Sequence, residues 1–404
     1  LFNSLGNNSI NVRAIAQGAS ERNISIIIDK NNAKKALNAL HESFFEKDLK
    51  DIHLFITGVG NVGGYLLQQI KNQKDFISKN LGLNLKVLGI SNSKKMLISK
   101  QEIDLNNWSE VLTNSDTKAD KDFFQKTIIE LNRRNSLFID NTASETIPLT
   151  YNSYLKNGIG VITCNKISNS GTLDKYKELR KLSRRNNAAF LYETNVGAAL
   201  PVISTLKNLI NSGDKILKIE AVLSGTLNYI FNNFQEEDTF HDIVSHAVKL
   251  GYTEPDPKID LCGVDVSRKI LILARESGFN LEYDEVEKNH FLPTESINTN
   301  SKDKFILSLK NNKDHFNRIL NDAKEKNCRL KFVAKLDNGK ASVGLEAVPN
   351  DHPFYNLVGS DNITVFFTER YKESPLVVKG AGAGGEFTAS GVFADIIKAS
   401  QENG

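Results

Sequence analysis

The chain has 404 residues, of which 40% are hydrophobic and 25% are charged, and its 51 Lys and Arg against 48 Asp and Glu leave a net charge of +3. This composition is typical of a globular protein with two or three domains. The small net charge argues against a broadly basic nucleic-acid-binding surface, and no apolar run approaches the roughly 18 residues of a membrane helix. Neither nucleic acid nor a membrane is therefore an expected partner.

The cysteines Cys164, Cys262 and Cys328 are odd in number and lack the spacing of a metal site. They favour a reducing, cytoplasmic location over a disulfide framework. No signal-peptide pattern is present, and the start at Leu1 instead of Met indicates a fragment.

Residues 1–48 are predicted to form a small α/β piece. The stretches NVRAIAQGA and NISIIID alternate as two strands, joined by the polar turn SERN. The following NNAKKALNALHESFF has apolar residues at helical spacing and an Asn as the candidate N-cap. The piece is too short for a core of its own, and EKDLKD at 46–51 is predicted to be a charged linker.

Strands alternate with helices from there to about residue 194. The predicted strands are IHLFIT, LKVLGI, SLFIDNT, GIGVITCNK and AAFLYET, with helical stretches between them. This alternation predicts a parallel, doubly wound α/β sheet.

From about residue 195 the pattern changes to that of a second, α+β domain. The predicted helices are LPVISTLKNLI, TLNYIFNNF, FHDIVSHAVKLG and CGVDVSRKILILARESG, the last two closed by Gly251 and Gly278. The predicted strands are ILKIEAVLSG, RLKFVAKLD, KASVGLEAV and ITVFFTE, in a mixed or antiparallel sheet. The final KGAGAGGEFTASGVFADIIKA predicts a glycine turn leading into a helix.

The glycines Gly58, Gly60 and Gly63 form G-x-G-x-x-G between a predicted strand and a predicted helix. Gly58 permits a tight turn, Gly60 lets a pyrophosphate approach the backbone, and Gly63 lets the helix pack closely on the strand. The helix N-terminus adds free N–H groups and a partial positive charge. The motif therefore predicts a dinucleotide site, the alternative being a purely structural turn.

The second strand of this unit ends in GISNSKK, where an NAD site usually places a carboxylate on the ribose 2′-hydroxyl. Here Ser91, Asn92 and Ser93 are followed by Lys94 and Lys95. Hydroxyl, amide and ammonium groups suit a 2′-phosphate better than a carboxylate would. NADP(H) is therefore favoured over NAD(H), the alternative being a solvated basic loop.

The stretch EPDPKIDLCGVDVSRK at 254–269 concentrates ionisable groups. Asp265 and Lys269 are four residues apart and share a helix face, and Pro255 restricts Glu254 to extended conformations. Taken alone, the pair is typical of a surface ion pair beside a solvated turn. The sharper alternative is a substrate site.

A resemblance to the homoserine dehydrogenases is carried by six stretches in that family's order over about 50–404: GVGNVGG, TCNK, ETNVGAALPVI, SGTLNYI, GYTEPDPKIDLCGVDVSRK and KGAGAGGEFTASGVFAD. The first 48 residues are similar to the closing part of an ACT-type regulatory domain. The combination resembles the C-terminal part of a bifunctional aspartokinase/homoserine dehydrogenase.

The resemblance implies a partial ACT-like segment at 1–48, a Rossmann-type NAD(P)-binding domain at 49–194, a homoserine-binding and dimerisation domain at 195–374, and a C-terminal segment at 375–404 returning to the nucleotide-binding domain. It implies NADPH-dependent interconversion of aspartate 4-semialdehyde and homoserine, in threonine and methionine biosynthesis, by a homodimer or higher homo-oligomer. Threonine inhibition is an expectation for the bifunctional members.

The resemblance also assigns roles to individual residues. Glu254, Asp260 and Asp265 would recognise the substrate, Lys269 would transfer the proton, and Lys166 would be a second catalytic or positioning lysine. The implied cofactor-binding residues are Gly58, Gly60, Asn61, Val62, Gly63, Ser91, Lys94, Thr142, Lys166, Gly251, Gly382 and Gly384. A monovalent cation such as Na⁺ is implied on Glu193 and on main-chain carbonyls near Val196, Ala198 and Leu200, because hard ions suit such oxygens.

Two other functions compete with this interpretation. One is a cysteine-dependent semialdehyde dehydrogenase, with Cys164 as a nucleophile activated by a nearby base. The other is a non-catalytic, amino-acid-sensing regulatory fragment. The homoserine dehydrogenase chemistry needs no thiol, and the intact set of Glu254, Asp265 and Lys269 argues against a purely regulatory role.

Overall fold

The computed structural model describes residues 1–18, 23–45, 49–235 and 238–402. The strands within these ranges are β1 (Val12–Gln17), β2 (Ile24–Ile28), β3 (Lys50–Thr57), β4 (Leu83–Ser91), β5 (Met96–Ile98), β6 (Ser136–Asp140), β7 (Gly160–Thr163), β8 (Phe190–Leu191), β9 (Ile216–Val222), β10 (Glu287–Asn289), β11 (Arg329–Asp337), β12 (Lys340–Val348), β13 (Asp361–Thr368) and β14 (Leu376–Ala381).

The α-helices within the same ranges are α1 (Phe2–Asn7), α2 (Ala33–Phe45), α3 (Asn61–Leu81), α4 (Trp108–Thr113), α5 (Lys121–Leu131), α6 (Tyr151–Lys156), α7 (Ile167–Ser170), α8 (Leu173–Arg185), α9 (Val202–Asn211), α10 (Gly225–Asn233), α11 (Phe240–Lys249), α12 (Pro257–Leu261), α13 (Val264–Glu276), α14 (Thr294–Ile297), α15 (Lys302–Asn311), α16 (Lys313–Glu325) and α17 (Gly385–Glu402).

The chain divides into two compact units. The first comprises Leu1–Ser168, Asp174–Tyr192 and Thr388–Gly404, and the second comprises Asn169–Leu173 and Glu193–Phe387. In the described part of the chain, no helix combines the length and the apolar sequence needed to cross a bilayer.

The N-terminal segment contains the predicted pair of strands and the predicted helix. β1 and β2 pair antiparallel, and α2 packs through Ala36 onto Leu5 and Ile10. The predicted turn SERN lies mostly outside the described residues, as do residues 46–48 of the predicted linker. Asp29 caps a 3₁₀ turn (Lys30–Asn32) that leads directly into α2; its side chain accepts a hydrogen bond from the Asn31 N–H at 3.0 Å. The predicted Asn cap of α2 itself stays a prediction.

The first unit contains a six-stranded sheet with the order β5-β4-β3-β6-β7-β8. All neighbours are parallel except β5, which pairs antiparallel with β4 at one edge. The strand order runs outward from β3 in both directions, so the boundary of β3 and β6 is a switch point of the kind that binds ligands at carboxyl ends. The predicted doubly wound sheet is confirmed.

The final predicted strand of this sheet, AAFLYET, is much shorter in the structure. Only Phe190–Leu191 pair as β8, and Glu193–Asn195 form a 3₁₀ turn. The apolar run by itself predicted a longer strand. The hydrogen bonds from the start of a later helix to the Glu193 side chain accompany the turn that ends it, and they are not visible in the sequence.

From Thr388 onward the helix α17 belongs to the first unit, although it lies at the chain's end. Its residues Val392, Ile396 and Ala399 are buried in the core cluster that also contains Leu66 of α3. The Gln69 side chain donates to the Ser390 hydroxyl at 2.8 Å, and Lys50 Nζ donates to the Ser400 carbonyl at 2.8 Å. The C-terminal helix therefore completes the first core.

The residues before α17 have a different partner. β14 pairs antiparallel with β13 in the second unit's sheet, so the part of 375–404 that belongs to the first unit begins at Thr388, within α17. The strand was interpreted as part of a glycine turn because Gly and Ala in KGAGAGG leave little of the alternation that reveals a strand.

The second unit contains a mixed sheet with the order β10-β12-β11-β9-β13-β14, in which only the β10–β12 pair is parallel. The strands β11 and β12 have the bounds predicted from the sequence. They are joined by Asn338 and Gly339, both with positive φ (47° and 82°), as a two-residue hairpin requires. The strands β10 and β14 and the helices α12, α14, α15 and α16 were not predicted.

Candidate functional site

The glycine turn lies between β3 and α3 at the switch point of the first sheet. Gly58 has φ +88°, and a Cβ at Gly63 would lie 2.3 Å from the Gly58 carbonyl oxygen. A Cβ at Gly60 would meet no atom within 4 Å. Gly58 and Gly63 are thus required by packing, whereas Gly60 keeps open the space that a pyrophosphate would use at the first N–H groups of α3, from Asn61 and Val62.

A cavity of about 600 Å³ adjoins this turn. Gly58, Ser91 and Thr142, three of the residues predicted to bind the cofactor, line it, and Phe124 and Tyr154 add aromatic surface. Its volume lies within the usual range of small-ligand sites. The cavity therefore extends the turn into a space with room for part of a dinucleotide.

The two lysines after β4 differ in their surroundings. Lys94 is exposed and is absent from the residues described as lining the cavity. Lys95 Nζ donates to the Ser115 carbonyl at 2.5 Å, so Lys95 serves to hold this loop. The Asn92 side chain shapes the same loop by accepting from the N–H groups of both lysines at 2.8 Å.

Lys121 lines the cavity but was not singled out in the sequence. It is the first residue of α5, directly after the N-cap Asp120, and it forms an ion pair with Asp122 at 2.6 Å. Lys121 lines the same cavity as Ser91, which lies 30 positions earlier in the chain, because the fold of the first unit places the two residues together. A lysine at a helix start is too common to have been recognised from the sequence.

Asn141 is a second residue that sequence reasoning missed. Its side-chain oxygen and nitrogen are buried, and neither has a hydrogen-bond partner among the described residues. It directly follows β6, and its amide nitrogen would lie 3.5 Å from a Cβ at Gly63. A buried amide without partners is costly, so this position fits a group that hydrogen-bonds to a bound ligand.

Asp140 ends β6 in a fully buried hydrogen-bond network. It accepts from the Tyr151 hydroxyl at 2.6 Å, from the Thr142 N–H at 2.7 Å and from the Asn165 amide at 3.3 Å. Burial raises the pKa of Asp140 to about 6, although these hydrogen bonds oppose the rise. The network ties together the ends of β6 and β7, and so holds the loop in which Lys166 follows Asn165.

Lys166 is half-buried in the loop that follows β7, at the carboxyl edge of the sheet; the strand predicted to run to Lys166 ends at Thr163. Cys164 lies two residues before it and packs against the core of the first unit. Burial raises the pKa of the Cys164 thiol to about 12. This thiol is therefore protonated at neutral pH, which is the opposite of what a nucleophilic cysteine needs.

The stretch at 254–269 forms the short helix α12 and the start of α13 in the second unit. Asp256 caps α12 by accepting from the Lys258 N–H at 3.1 Å, and Gly263 turns the chain into α13 with φ +68°. Lys269 is 8% exposed; its Nζ donates to the Leu223 carbonyl at 2.7 Å and lies 2.8 Å from Asp265 Oδ2. The i,i+4 pair is thus mostly buried on the Lys269 side, unlike an ordinary surface ion pair.

Asp265, the carboxylate paired with this lysine, and Glu254 both lie within electrostatic range of Asp260. The Glu254 N–H donates to Asp260 Oδ2 at 2.8 Å. Burial raises the pKa of Asp260 to about 6; the Glu254 hydrogen bond opposes this, and the charges of Glu254 and Asp265 add to it. The three groups therefore influence one another, and their repulsion is relieved by a cationic ligand such as an ammonium group.

The predicted cation ligands lie in a turn before α9. Both Glu193 carboxylate oxygens accept from the helix start, Oε1 from the Ile203 N–H at 2.7 Å and Oε2 from the Ser204 N–H at 2.8 Å. Gly197 and Ala198 have consecutive positive φ angles of 86° and 53°, which redirect the neighbouring carbonyls. Glu193 is thus a helix cap in the structure, and any cation would depend largely on main-chain oxygens near Val196, Ala198 and Leu200.

No group of three His, Cys, Asp or Glu side chains arranged for a metal ion is found within the described ranges.

Three of the predicted cofactor glycines, Gly251, Gly382 and Gly384, lie in the second unit. Gly251 follows α11 with φ +71°, which is the conformation that ends a helix. A Cβ at Gly382 would lie 2.0 Å from Asn362 Cγ, and Gly384 has φ +117° immediately before α17. Local packing or backbone geometry therefore accounts for each glycine, whatever its relation to a cofactor.

Comparison with known families identifies three matched regions. Residues 201–397 match the family described as homoserine dehydrogenase, residues 58–193 match the homoserine dehydrogenase NAD-binding domain, and residues 1–44 match an ACT domain. The regions follow one another in the order expected from the sequence.

Individual proteins show the same relationship. The bifunctional aspartokinase/homoserine dehydrogenase 1 of maize (Zea mays, chloroplastic) is 44% identical over 403 residues, which cover 99% of this chain and 44% of the maize protein. The chain therefore spans less than half the length of that relative. The homoserine dehydrogenase of Schizosaccharomyces pombe is 38% identical over 86% of this chain and 95% of its own length.

A solved structure also matches. A hyperthermophilic archaeal homoserine dehydrogenase in complex with NADPH superposes with a TM-score of 0.68 at 26% identity, covering 87% of this chain and 98% of the archaeal chain.

Substitutions in the glycine turn allow cofactor binding and helix packing to be tested separately. Gly60→Ala is expected to weaken NADP⁺ binding by about tenfold or more with little loss of stability, because its Cβ enters open space meant for the pyrophosphate. Gly63→Ala is expected to lower the unfolding midpoint, because its Cβ meets the Gly58 carbonyl. Titration calorimetry and thermal unfolding measure the two effects; unaltered NADP⁺ affinity in Gly60→Ala contradicts the assignment.

Asp140 predicts a pH effect on stability. Its pKa of about 6 in the folded chain exceeds the ordinary value of 3.8, so as pH rises the unfolded chain releases this proton first, and the free energy of unfolding falls between about pH 4 and pH 6. Asp140→Asn lacks this dependence. Between about pH 4 and pH 6, the unfolding midpoint of the wild type should therefore fall relative to that of Asp140→Asn. Parallel pH profiles of the two midpoints would show that the folded carboxyl titrates normally.

Proposed function

The chain belongs to the homoserine dehydrogenase family, and on that premise we propose that it catalyses the NADP(H)-dependent interconversion of L-homoserine and aspartate 4-semialdehyde. The observation that carries the proposal is the pair of Asp265 with the buried ammonium of Lys269, together with the acidic groups of Asp260 and Glu254 that neighbour Asp265. In this proposal the reaction serves threonine and methionine biosynthesis.

The residues around the glycine turn fit a nicotinamide dinucleotide. Gly60 leaves open space at the helix start, and the buried amide of Asn141 lacks a partner in the described structure. When bound, NADP(H) supplies or accepts the hydride at C4 of the substrate. The chain's own contribution here is to hold the pyrophosphate on the N–H groups of α3.

NADP(H) is preferred over NAD(H) in this proposal. The support is the absence of a carboxylate at residues 90–93, together with Ser91 and the lysine Lys121 on the same cavity. A ribose 2′-phosphate would be bound there by hydroxyl and ammonium groups. Lys94, on the exposed part of the same loop, would add long-range attraction rather than a buried contact.

The acidic cluster is proposed to bind the substrate ammonium. Asp265 and Glu254 supply negative charge, and Asp260 holds the Glu254 backbone through the 2.8 Å hydrogen bond. Lys269 is proposed to protonate the oxygen at C4 during aldehyde reduction and to accept that proton in the reverse direction. The Leu223 carbonyl and Asp265 hold its ammonium in place for this transfer.

Lys166 is proposed as a second lysine of the reaction, positioning substrate and cofactor. The support is its location after Asn165, which the buried Asp140 network fixes. A monovalent cation such as Na⁺ is proposed at the turn of residues 193–200, bound by main-chain carbonyls and by the remaining lone pairs of Glu193.

Assembly as a homodimer or higher homo-oligomer, dimerisation through residues 195–374, and a cytoplasmic location stay predictions. The maize relative is chloroplastic by name, so the location of this chain requires its own measurement. Aspartokinase activity appears in the name of the longer maize relative, and this chain spans less than half of that protein's length.

The competing functions find less support. A thioester route through Cys164 requires an activated thiolate, whereas burial raises the pKa of this thiol to about 12. A purely regulatory fragment would not need a lysine held between Asp265 and the Leu223 carbonyl. A turnover assay with homoserine, comparing NADP⁺ with NAD⁺ at alkaline pH, tests the proposed function; a folded sample that reduces neither cofactor refutes it.

Lys269→Ala is expected to lower kcat and kcat/KM together by about 10²–10⁴-fold, because proton transfer contributes in the transition state. Asp265→Ala is expected to raise the homoserine KM prominently, because it removes a partner of the substrate ammonium. Steady-state kinetics with the exposed Lys249→Ala as control measures both. Near-normal turnover of Lys269→Ala would transfer the proton-transfer role to Lys166 or to water.

Lys94→Glu is expected to raise the KM for NADP⁺ by roughly threefold to tenfold more than that for NAD⁺, because the new carboxylate repels only the 2′-phosphate. The matched control is Lys79→Glu, which reverses an exposed lysine on α3. Equal changes in the two KM values would mean that Lys94 does not sense the 2′-phosphate.

A further inference from the structure

The first unit contains a second cavity, whose lining differs in chemical character from that of the cavity at the glycine turn. Its volume is about 550 Å³, and it is lined by residues of α2, by the start of β3 and by the end of α5 with the turn that follows. It therefore joins the N-terminal ACT-like segment to the doubly wound sheet. None of its lining residues belongs to the sites described above.

The lining carries an excess of positive charge. Its cations are Lys34, Lys35, Lys100, Arg133 and Arg134, against the two carboxylates of Asp51 and Glu130. Both carboxylates already have other partners: Asp51 bonds to Lys86 at 2.5 Å, and Glu130 lies 3.8 Å from Lys126. The cationic groups of the cavity are thus not neutralised by its own acids.

Lys35 is the most informative of these cations. Its ammonium has neither a hydrogen-bond acceptor nor an ion-pair partner among the described residues, and burial lowers its pKa. A half-buried charge without a partner is costly. Such a cost is removed when an anion enters the cavity.

The rest of the wall is held in place by hydrogen bonds. Arg134 NH1 donates to the Asn38 carbonyl at 2.7 Å, and Arg133 NH2 donates to the Lys100 carbonyl at 3.0 Å. His53 lies with Nδ1 at 2.7 Å from the Arg134 carbonyl, and burial lowers its pKa, so the positive charge comes from the lysines and arginines. The guanidinium of Arg133 keeps further N–H donors beyond this bond.

We propose that this cavity is a binding site for a small phosphate-bearing anion, held by Lys35 together with Arg133 and Lys100, that bridges the N-terminal segment and the sheet of the first unit. A phosphoryl group carries up to two charges and three acceptor oxygens. It matches a mixed lysine and arginine lining with excess charge better than a single carboxylate does. The cavity volume suits a metabolite of that kind.

The test uses inorganic pyrophosphate as the probe, by titration calorimetry on the chain saturated with NADP⁺ so that the glycine turn is occupied. One pyrophosphate site is expected. Lys35→Met is expected to weaken it by about tenfold, and Lys30→Met, which removes an exposed lysine of the same segment outside the lining, to change it less than about twofold.

Lys100→Met guards against a local unfolding of α2, because Lys100 lies outside that helix. Weakened pyrophosphate binding in both Lys35→Met and Lys100→Met, with NADP⁺ affinity retained, supports the proposal. Absent binding, or equal affinity in wild type and both variants, overturns it. Citrate at matched ionic strength is the second probe, and tighter binding of citrate than of pyrophosphate overturns the phosphoryl assignment.

Discussion

The position of the Lys269 ammonium depends on another buried lysine. Lys331 of β11 is 1% exposed, and its Nζ donates to the Asn228 side chain at 3.1 Å, to the Asn232 side chain at 2.5 Å and to the Leu357 carbonyl at 2.6 Å. These acceptors match the three donors of an ammonium. Burial lowers the pKa of Lys331 to about 8. These three acceptors are neutral oxygens, and none of them is a carboxylate.

These hydrogen bonds hold α10 through Asn228 and Asn232. Asn228 also donates to the Gly359 and Asp361 carbonyls at 3.2 and 3.1 Å, which ties the helix to the chain around β13. Ser224 caps the same helix, and the preceding residue is Leu223, whose carbonyl accepts from Lys269. Lys269, the proposed proton-transfer group, is thus oriented through α10 by an interaction that does not touch it directly.

In the first unit the corresponding constraint is steric. The Gly58 carbonyl occupies the space where a side chain at Gly63 would begin, so α3 can approach the end of β3 only with glycine at this position. That approach aims the helix N-terminus at the switch point, and the Asp140 network holds the neighbouring strand ends. The two units thus organise their sites differently, one by close backbone packing and the other by buried ammonium groups.

Local sequence determined the parts of this protein that depend on neighbouring residues. The alternation of strands and helices predicted the doubly wound sheet, the bounds of the strands β11 and β12 were predicted to the residue, and the i,i+4 spacing put Asp265 and Lys269 on one helix face. The tertiary structure alone decided what distant residues do together: that Lys121 and Asn141 lie by the glycine turn, that β14 belongs to the second sheet, that Lys95 holds a loop, and that Lys35 lines a basic cavity. The physical reason is that hydrophobic periodicity and glycine spacing record only short-range geometry. Hydrogen bonds and charge contacts between residues tens of positions apart depend on sheet order, which no local pattern encodes.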